Sequence, residues 1–112
     1  MASFATGGTL VNGSNYKVMT ARRSEEGSVE VHTKFTDVFY IVQGGTTIIT
    51  GGKVIGEKFT NPEEPRGVSI EGGDTHELAA GDVIVIPAGV PHWMRNVKGT
   101  MLYFVVKVQK AD

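Results

Sequence analysis

Short runs of β-branched and aromatic residues, separated by glycines, constrain the fold of this chain more than any other feature. The 112-residue sequence contains 15 glycines, which stand singly or in pairs between the apolar runs. The pairs at 44–45, 51–52 and 72–73 each fall where one run ends and another begins. Short strands at close spacing, with turn signals between them, are typical of β-sandwiches and barrels. The pattern therefore predicts an all-β fold.

The same pattern places the strands along a single domain that spans residues 1–112. Strands are predicted near Thr9–Val11, Tyr16–Ala21, Ser28–Lys34, Asp37–Gln43, Thr46–Thr50, Lys53–Ile55, Gly67–Ile70, Val83–Ile86, His92–Val97 and Met101–Val108. Residues 1–8 are expected to form a flexible tail. Asp74–Glu77 has the form of a helix capping box but is too short for a helix, so we predict a turn or strand end there. Lys58–Arg66, which contains Pro62 and Pro65, is predicted to be a surface loop.

Composition excludes several functional classes. Eleven basic and twelve acidic residues give a net charge of −1, so we expect no nucleic-acid partner. The absence of cysteine excludes disulfides, thiolate metal sites and thiol catalysis, which leaves imidazole and carboxylate as metal ligands. No apolar run approaches the ~20 residues of a membrane span. No signal-peptide pattern is visible at the N-terminus, so a cytoplasmic location with no membrane partner is expected.

A first group of candidate metal ligands lies around residue 32. In a strand, alternate side chains share a face, so Glu30 and His32 lie together, opposite Val29 and Val31. Asp37 opens the next apolar run. The three side chains are of types that bind divalent cations. A solvated polar face with the valines packed inward explains the same pattern, and periodicity alone leaves both interpretations open.

The second group is more specific. Gly81–Asn96 contains a buried strand, a Pro-Gly turn and a return strand that begins at His92, immediately after Pro91. Alternation along this strand places Met94 and Asn96 on the face of His92 and Trp93 on the opposite face. A single histidine at a strand start is often only a packed residue, so ligation by His92 stays open on this evidence.

Together the two segments resemble the paired motifs of the cupin superfamily. The first family motif reads G-x5-H-x-H-x4-E-x6-G, and the second reads G-x5-P-x-G-x2-H-x3-N. The second motif matches at every named position, namely Gly81, Pro87, Gly89, His92 and Asn96. In the first, His32 and Gly44 match, whereas Ser24, Glu30 and Asp37 replace the first glycine, the first histidine and the glutamate. The two motifs cover about a third of the chain.

The resemblance implies an antiparallel jelly-roll β-barrel whose motif residues point inward and hold one divalent transition metal ion. Carried over by position, the ligands are Glu30, His32, Asp37 and His92, and they suit Fe, Mn, Ni or Zn. Because Asp37 is one methylene shorter than glutamate, it can fall outside the first coordination shell. A pocket lined by Phe39, Ile41, Met94 and Asn96 is expected above the ion.

Two further side chains are candidates for ligand contact. Arg66, beside the proline-rich loop, can bind a carboxylate or phosphate, or can instead be solvated or paired with a neighbouring glutamate. His76 can lie near the mouth of the barrel, or can be an exposed histidine with no functional role.

The resemblance favours a metal-dependent enzyme that acts on a small organic substrate, of oxygenase, isomerase or lyase type. Two alternatives stay open: a non-catalytic small-molecule binding or sensor protein, with or without metal, and a structural barrel with an empty site. A homodimer is expected, with the apolar run Met101–Val108 or the N-terminal strands as its interface.

Overall fold

The computed structural model describes residue 4, residues 7–57 and residues 63–111 of the chain. Its regular structure consists of ten strands. They are β1 (Gly8–Asn12), β2 (Tyr16–Arg23), β3 (Val29–Glu30), β4 (Phe35–Thr50), β5 (Lys53–Ile55), β6 (Arg66–Gly67), β7 (Ser69–Glu71), β8 (Asp74–Ala79), β9 (Val83–Ile86) and β10 (His92–Gln109). The predicted all-β class is confirmed.

Two long strands, β4 and β10, pair with each other along most of their length and organise the eight-stranded sheet. One path through this sheet runs β1-β2-β10-β3-β6, while β4 pairs with β10, β8 and β9. Strands β5 and β7 form a separate two-stranded sheet. All of these pairings are antiparallel, as predicted.

Several predicted strand boundaries were wrong. The chain continues through Gly44 and Gly45, so one strand replaces two, and β10 likewise joins two predicted strands. Gly44 has a φ of 75°, and the facing strand has register shifts between Lys98 and Tyr103, so both strands bend here without ending.

The region around β3 also differs from the prediction. Only Val29 and Glu30 of the predicted strand Ser28–Lys34 are in a strand. The following residues bond to a loop instead, since the Val31 and Thr33 amides donate to the carbonyls of Pro65 and Glu63. Conversely, Asp74–Ala79 is a six-residue strand and not a turn, because it pairs with β4 from Gly45 to Thr50.

The buried side chains form two clusters on opposite faces of the sheet. The larger, inner cluster contains Phe39, Ile41, Ile48, Ile86, Met94, Met101, Tyr103 and Val105. The smaller cluster, with Val29, Ile49 and Ile70 buried, packs against Trp93, whose Nε1 donates to the Gly27 carbonyl at 3.1 Å. The prediction that Trp93 faces away from His92 is confirmed.

The predicted N-terminal tail lies partly outside the described residues, which omit 1–3, 5 and 6. Within it, Phe4 is buried, with its ring centroid 5.1 Å from that of Phe104, and Gly8 begins β1. Residues 58–62 of the predicted loop are likewise not described. In the described part of the chain, no helix has the length and apolar character needed to cross a membrane.

Candidate metal centre

Glu30, His32 and His92 bring three potential metal-ligand atoms together. Glu30 pairs in register with His92 of β10, which places both side chains on the same face. The Nε2 atom of His92 lies 3.5 Å from Glu30 Oε2, and Nε2 of His32 lies 3.8 Å from the same oxygen. All three ligand atoms lie within 4.8 Å of one another. The polar residues of the two motifs thus meet inside the fold.

The donor set fits a transition metal ion. Two ligands that are each about 2.1 Å from an ion, in tetrahedral geometry, lie about 3.4 Å apart, close to the separations observed here. Two imidazoles and one carboxylate form the ligand set of many non-haem iron sites and of some catalytic zinc sites. The residues therefore fit a divalent ion, and three protein ligands leave coordination positions for other molecules.

The two histidines are oriented by different contacts. His32 Nδ1 lies 3.0 Å from Glu64 Oε1, which leaves Nε2 for the centre. A carboxylate on the second nitrogen fixes the ring and raises its basicity as a ligand. His92 has no such partner, because its buried Nδ1 has no hydrogen-bond partner among the described residues. Its ring instead packs edge-on against Phe39, with centroids 5.8 Å apart.

Asp37 lies beside the three ligands and does not join them. The Lys107 ammonium donates to Asp37 Oδ1 at 2.9 Å, and the other carboxylate oxygen is 3.5 Å from His32 Nε2. Asp37 is almost fully buried, so the lysine supplies the positive charge that this carboxylate needs. The structure thus separates the expected four ligands into a group of three and a neighbouring Asp37–Lys107 pair.

Opposite charges at the centre shift two pKa values. Hydrogen bonds from His32 and His92 hold the pKa of Glu30 far below its ordinary value, with Arg66 adding to this effect. Burial lowers the pKa of His32. The charge of Lys107 lowers it too, but the hydrogen bond to Glu30 and the charges of Asp37 and Glu30 outweigh both effects, and the pKa of His32 is raised overall. Without a metal, the centre therefore favours an ionised Glu30 beside a protonated His32.

Arg66 and His76 both have protein partners. Arg66 Nη1 lies 2.9 Å from Glu30 Oε1 and donates to Ser28 Oγ at 3.3 Å, so the arginine contacts a candidate ligand directly. This is the paired alternative considered from the sequence, although Glu30 is the partner. His76 is half-buried on β8, with Nε2 3.0 Å from Thr50 Oγ1, and does not join the group of three.

A cavity of about 200 Å³ opens beside the candidate ligands. Its apolar wall is formed by Met19, Ala21, Phe39 and Val105, and its polar wall by Glu30, His32, Asp37, Tyr103 and Lys107. A smaller cavity shares Glu30, Phe39 and Tyr103 with the first and is also lined by His92, Met94 and Arg23. Of the predicted lining residues, Phe39 and Met94 thus line cavities, whereas Ile41 is fully buried in the core.

Asn96 does not lie on the inner face. A bulge between Met94 and Asn96 shifts the register, so that Met94 pairs with Ile48 but Asn96 pairs with Thr47. Ile48 and Thr47 are consecutive residues of β4 and therefore point to opposite faces. Asn96 is exposed as a result, and the alternation argument fails beyond Met94.

Four residues around the centre were missed from the sequence: Arg23, Glu64, Tyr103 and Lys107. Tyr103, Val105 and Lys107 are spaced two residues apart in one predicted strand, so their side chains lie on the same face. Alternation could have placed all three inward once that face was known to be the inner one. Arg23 and Glu64 come from a strand end and a loop, where the sequence carries no periodic signal.

Comparisons with known proteins agree with this fold. Residues 66–107 match the family model of the cupin domain. The structure is similar to that of KdgF from Halomonas sp., at 15% sequence identity and a TM-score of 0.67, with 95% of this chain and 79% of that chain covered. The predicted resemblance to the cupin superfamily is confirmed for residues 66–107 and for the fold.

Other solved cupin-like structures share the fold at similarly low identity. A cupin superfamily protein from Desulfitobacterium hafniense is 15% identical, with a TM-score of 0.64, and the match covers 93% of this chain and 76% of that chain. The DMSP lyase DddQ from Ruegeria pomeroyi is 14% identical, with a TM-score of 0.64, and the match covers 92% of this chain but 46% of the lyase. None of the curated proteins gives a significant match. The predicted jelly-roll fold is confirmed by these similarities.

Proposed function

We propose that this protein binds one divalent transition metal ion (Fe, Mn, Ni or Zn) through Glu30, His32 and His92, and uses it to transform a small organic substrate. One observation carries the proposal: two imidazole nitrogens and one carboxylate oxygen converge at the wall of a cavity. When bound, such an ion polarises a substrate oxygen or activates water or O2.

The chain's own residues supply the surroundings for this chemistry. Glu64 orients His32, and the apolar wall of the cavity excludes water from one side of the site. The Lys107 side chain donates a hydrogen bond to Asp37 and lines the cavity, where it can also donate to a substrate oxygen. Oxygenase, isomerase and lyase assays are the tests that distinguish the reaction types, and the similarity to a lyase structure makes lyase substrates a reasonable first panel.

Elemental analysis of protein purified without chelator tests metal binding. We expect about one equivalent of one transition metal, and its loss in His32→Ala and His92→Ala. His76→Ala is the matched control, because it removes a half-buried histidine outside the group of three and should retain the metal. Circular dichroism should show that all variants are folded.

Failure to bind any of the four metals after reconstitution would contradict the proposal. Metal loss in His76→Ala to the same extent as in His92→Ala would show that the effect is not specific to the site. Metal binding without turnover of any assayed substrate would instead favour the non-catalytic binding protein considered from the sequence.

We also propose that the protein is a homodimer, as expected from the sequence. Strands β9, β4, β10, β2 and β1 present one continuous outward face, here called the outer apolar face. Its exposed or half-buried side chains include Val83, Val85, Val38, Tyr40, Phe104, Val106, Val18 and Val11. Val83 and Val85 are each more than half exposed. Large exposed apolar patches mark interaction sites in soluble proteins, and a second copy of this face is the complementary surface.

A further inference from the structure

We infer that the smaller cavity is an anion subsite, in which Arg23 binds the carboxylate of a small substrate whose other end lies at the candidate metal centre. The inference deepens the proposed function and rests on it for the position of the reacting group. It specifies the class of substrate: a small monocarboxylate.

Arg23 reaches the centre from the end of β2. Its partner in the register is Met101 of the inner core, so the arginine points to the inner face. Arg23 lines the smaller cavity together with Glu30 and His92, two of the three candidate metal ligands. A group bound to the guanidinium therefore lies next to the centre.

The guanidinium has an unused donor. Arg23 Nε is buried and has no hydrogen-bond partner among the described residues. A buried donor without an acceptor is destabilising, so the site favours a molecule that supplies an oxygen atom. Tyr103, which is mostly buried, forms a side-chain hydrogen bond with Arg23 and holds it at the cavity.

Charge also favours an anion at this position. The other two cations at the centre are paired: Lys107 with Asp37 and Arg66 with Glu30. Arg23 makes no ion pair with a carboxylate in the described part of the chain. A planar guanidinium matches a carboxylate through two parallel hydrogen bonds, which a neutral ligand oxygen cannot equal.

The smaller cavity has a volume of about 30 Å³, so it admits the carboxylate group of a ligand but not the rest of the molecule. Gly27 lies against the guanidinium, and an added Cβ there would come within 2.9 Å of Arg23 Nη1. A side chain at position 27 would therefore displace the arginine from its place in the cavity.

The adjoining cavity limits the size of the substrate. Its volume of about 200 Å³ equals that of about seven water molecules at ~30 Å³ each. Met19, Ala21 and Val105 form an apolar wall along it. The two cavities together suit a carboxylate that carries a short, largely apolar body.

Calorimetric titration with matched pairs of ligands tests the inference. The probes are acetate, pyruvate, glycolate, crotonate and benzoate, and each acid is compared with the corresponding primary amide. Every titration is made with metal-loaded and with metal-free protein. We expect at least one acid to bind the wild type at least tenfold more tightly than its amide. Arg23→Gln should lower the affinity for that acid by roughly ten- to a hundredfold, because a charged hydrogen bond is lost. The same substitution should leave the affinity for the amide and the metal content unchanged.

Three further variants separate the subsite from a general charge effect. Arg22→Gln removes the same charge from the neighbouring exposed residue, whose side chain points to the opposite face, and should bind the acid like the wild type. Arg23→Lys should recover part of the affinity. Gly27→Ala should weaken acid binding with no change in charge.

The outcomes keep the two proposals apart. Arg23-dependent acid binding in a protein that binds no metal would support the anion subsite and contradict the proposed metal site. If the protein binds metal but binds acids and amides equally well, the anion subsite alone would be overturned. The same holds if Arg23→Gln binds the acid as tightly as the wild type does. Failure of every acid to bind would also overturn it.

Discussion

At the scale of single residues, the candidate centre is a set of charges that stabilise one another in the absence of metal. Glu30 lies between two histidines and an arginine, and His32 lies between Glu30, Asp37 and Glu64. A metal ion must compete with a proton for His32, because these contacts raise the pKa of its imidazole. The same contacts therefore make the stability of the metal-free protein depend on pH.

We expect the metal-free protein to lose stability as the pH rises above about 6.5. Because the folded-state pKa of His32 is raised above 6.5, its contribution is fully present below that pH and is lost as the pH rises through the folded-state value. The pKa of Glu30 is lowered, so its contribution is present above about 4.5 and is lost only in stronger acid. Thermal unfolding in chelator between about pH 5 and pH 9 measures this dependence.

His32→Gln is the informative variant for this measurement, because it removes the titrating group but keeps a polar side chain. The difference in melting temperature between wild type and His32→Gln should shrink as the pH rises, whereas His76→Gln should follow the wild-type trend. Parallel curves for wild type and His32→Gln would show that His32 makes no such contribution.

The resemblance to the two cupin motifs indicated Glu30, His32 and His92, which the structure brings together, but not the residues around them. Glu30, His32 and His92 lie within short motifs whose spacing is carried by the local chain. Lys107, which pairs with Asp37, and Arg23 are brought there only by strand pairing over long separations. The contacts of Lys107 and Arg23 could not be predicted before the register of β10 was known.

At the scale of secondary-structure elements, the bend of the two long strands depends on close backbone approach at Gly44. A Cβ at this position would lie 2.8 Å from the Thr100 carbonyl oxygen and 3.0 Å from Met101 Cα. Both atoms belong to the backbone of β10 and cannot rotate away. Glycine pairs in the sequence were interpreted as strand ends, although this pair permits a bend within one strand.

Gly44→Ala should therefore destabilise the protein much more than Gly51→Ala. Both glycines have a φ of 75°, but Gly51 has open space where a Cβ would lie. The shared backbone strain costs about 1 kcal/mol in each variant, and we expect the contact with β10 to add about 2 kcal/mol to the loss for Gly44→Ala. Urea unfolding at an unchanged m-value measures the difference. Equal losses would mean that the two strands can separate at the bend at no cost.

Strand boundaries were less predictable than strand existence. Hydrophobic periodicity located most of the strands, but β8 carries mainly polar residues and was assigned from its local capping pattern. Its pairing with β4 supplies the hydrogen bonds that fix its conformation. The bulge that exposes Asn96 likewise depends on the partner strand and leaves no signal in the local sequence.

At the scale of the whole molecule, the outer apolar face predicts association. Val85→Lys should place a charge within the proposed interface and convert a dimer to a monomer, as measured by sedimentation equilibrium. Val68→Lys is the matched control, since Val68 is 67% exposed and lies between β6 and β7, outside this face. A wild-type protein that is monomeric at high micromolar concentration would contradict the proposed dimer.

The pairing of β4 with β10 also determines how the chain must fold. Thr50 pairs with His92 and Phe35 with Gln109, so the partners are more than 40 positions apart in the chain. Closing such long loops lowers the entropy of the chain before the native contacts can stabilise it. Proteins with high contact order accordingly fold in milliseconds to seconds. His92 reaches Glu30 only through pairing with β3, 62 positions earlier in the chain, so the site for the ion cannot form before these long-range contacts do.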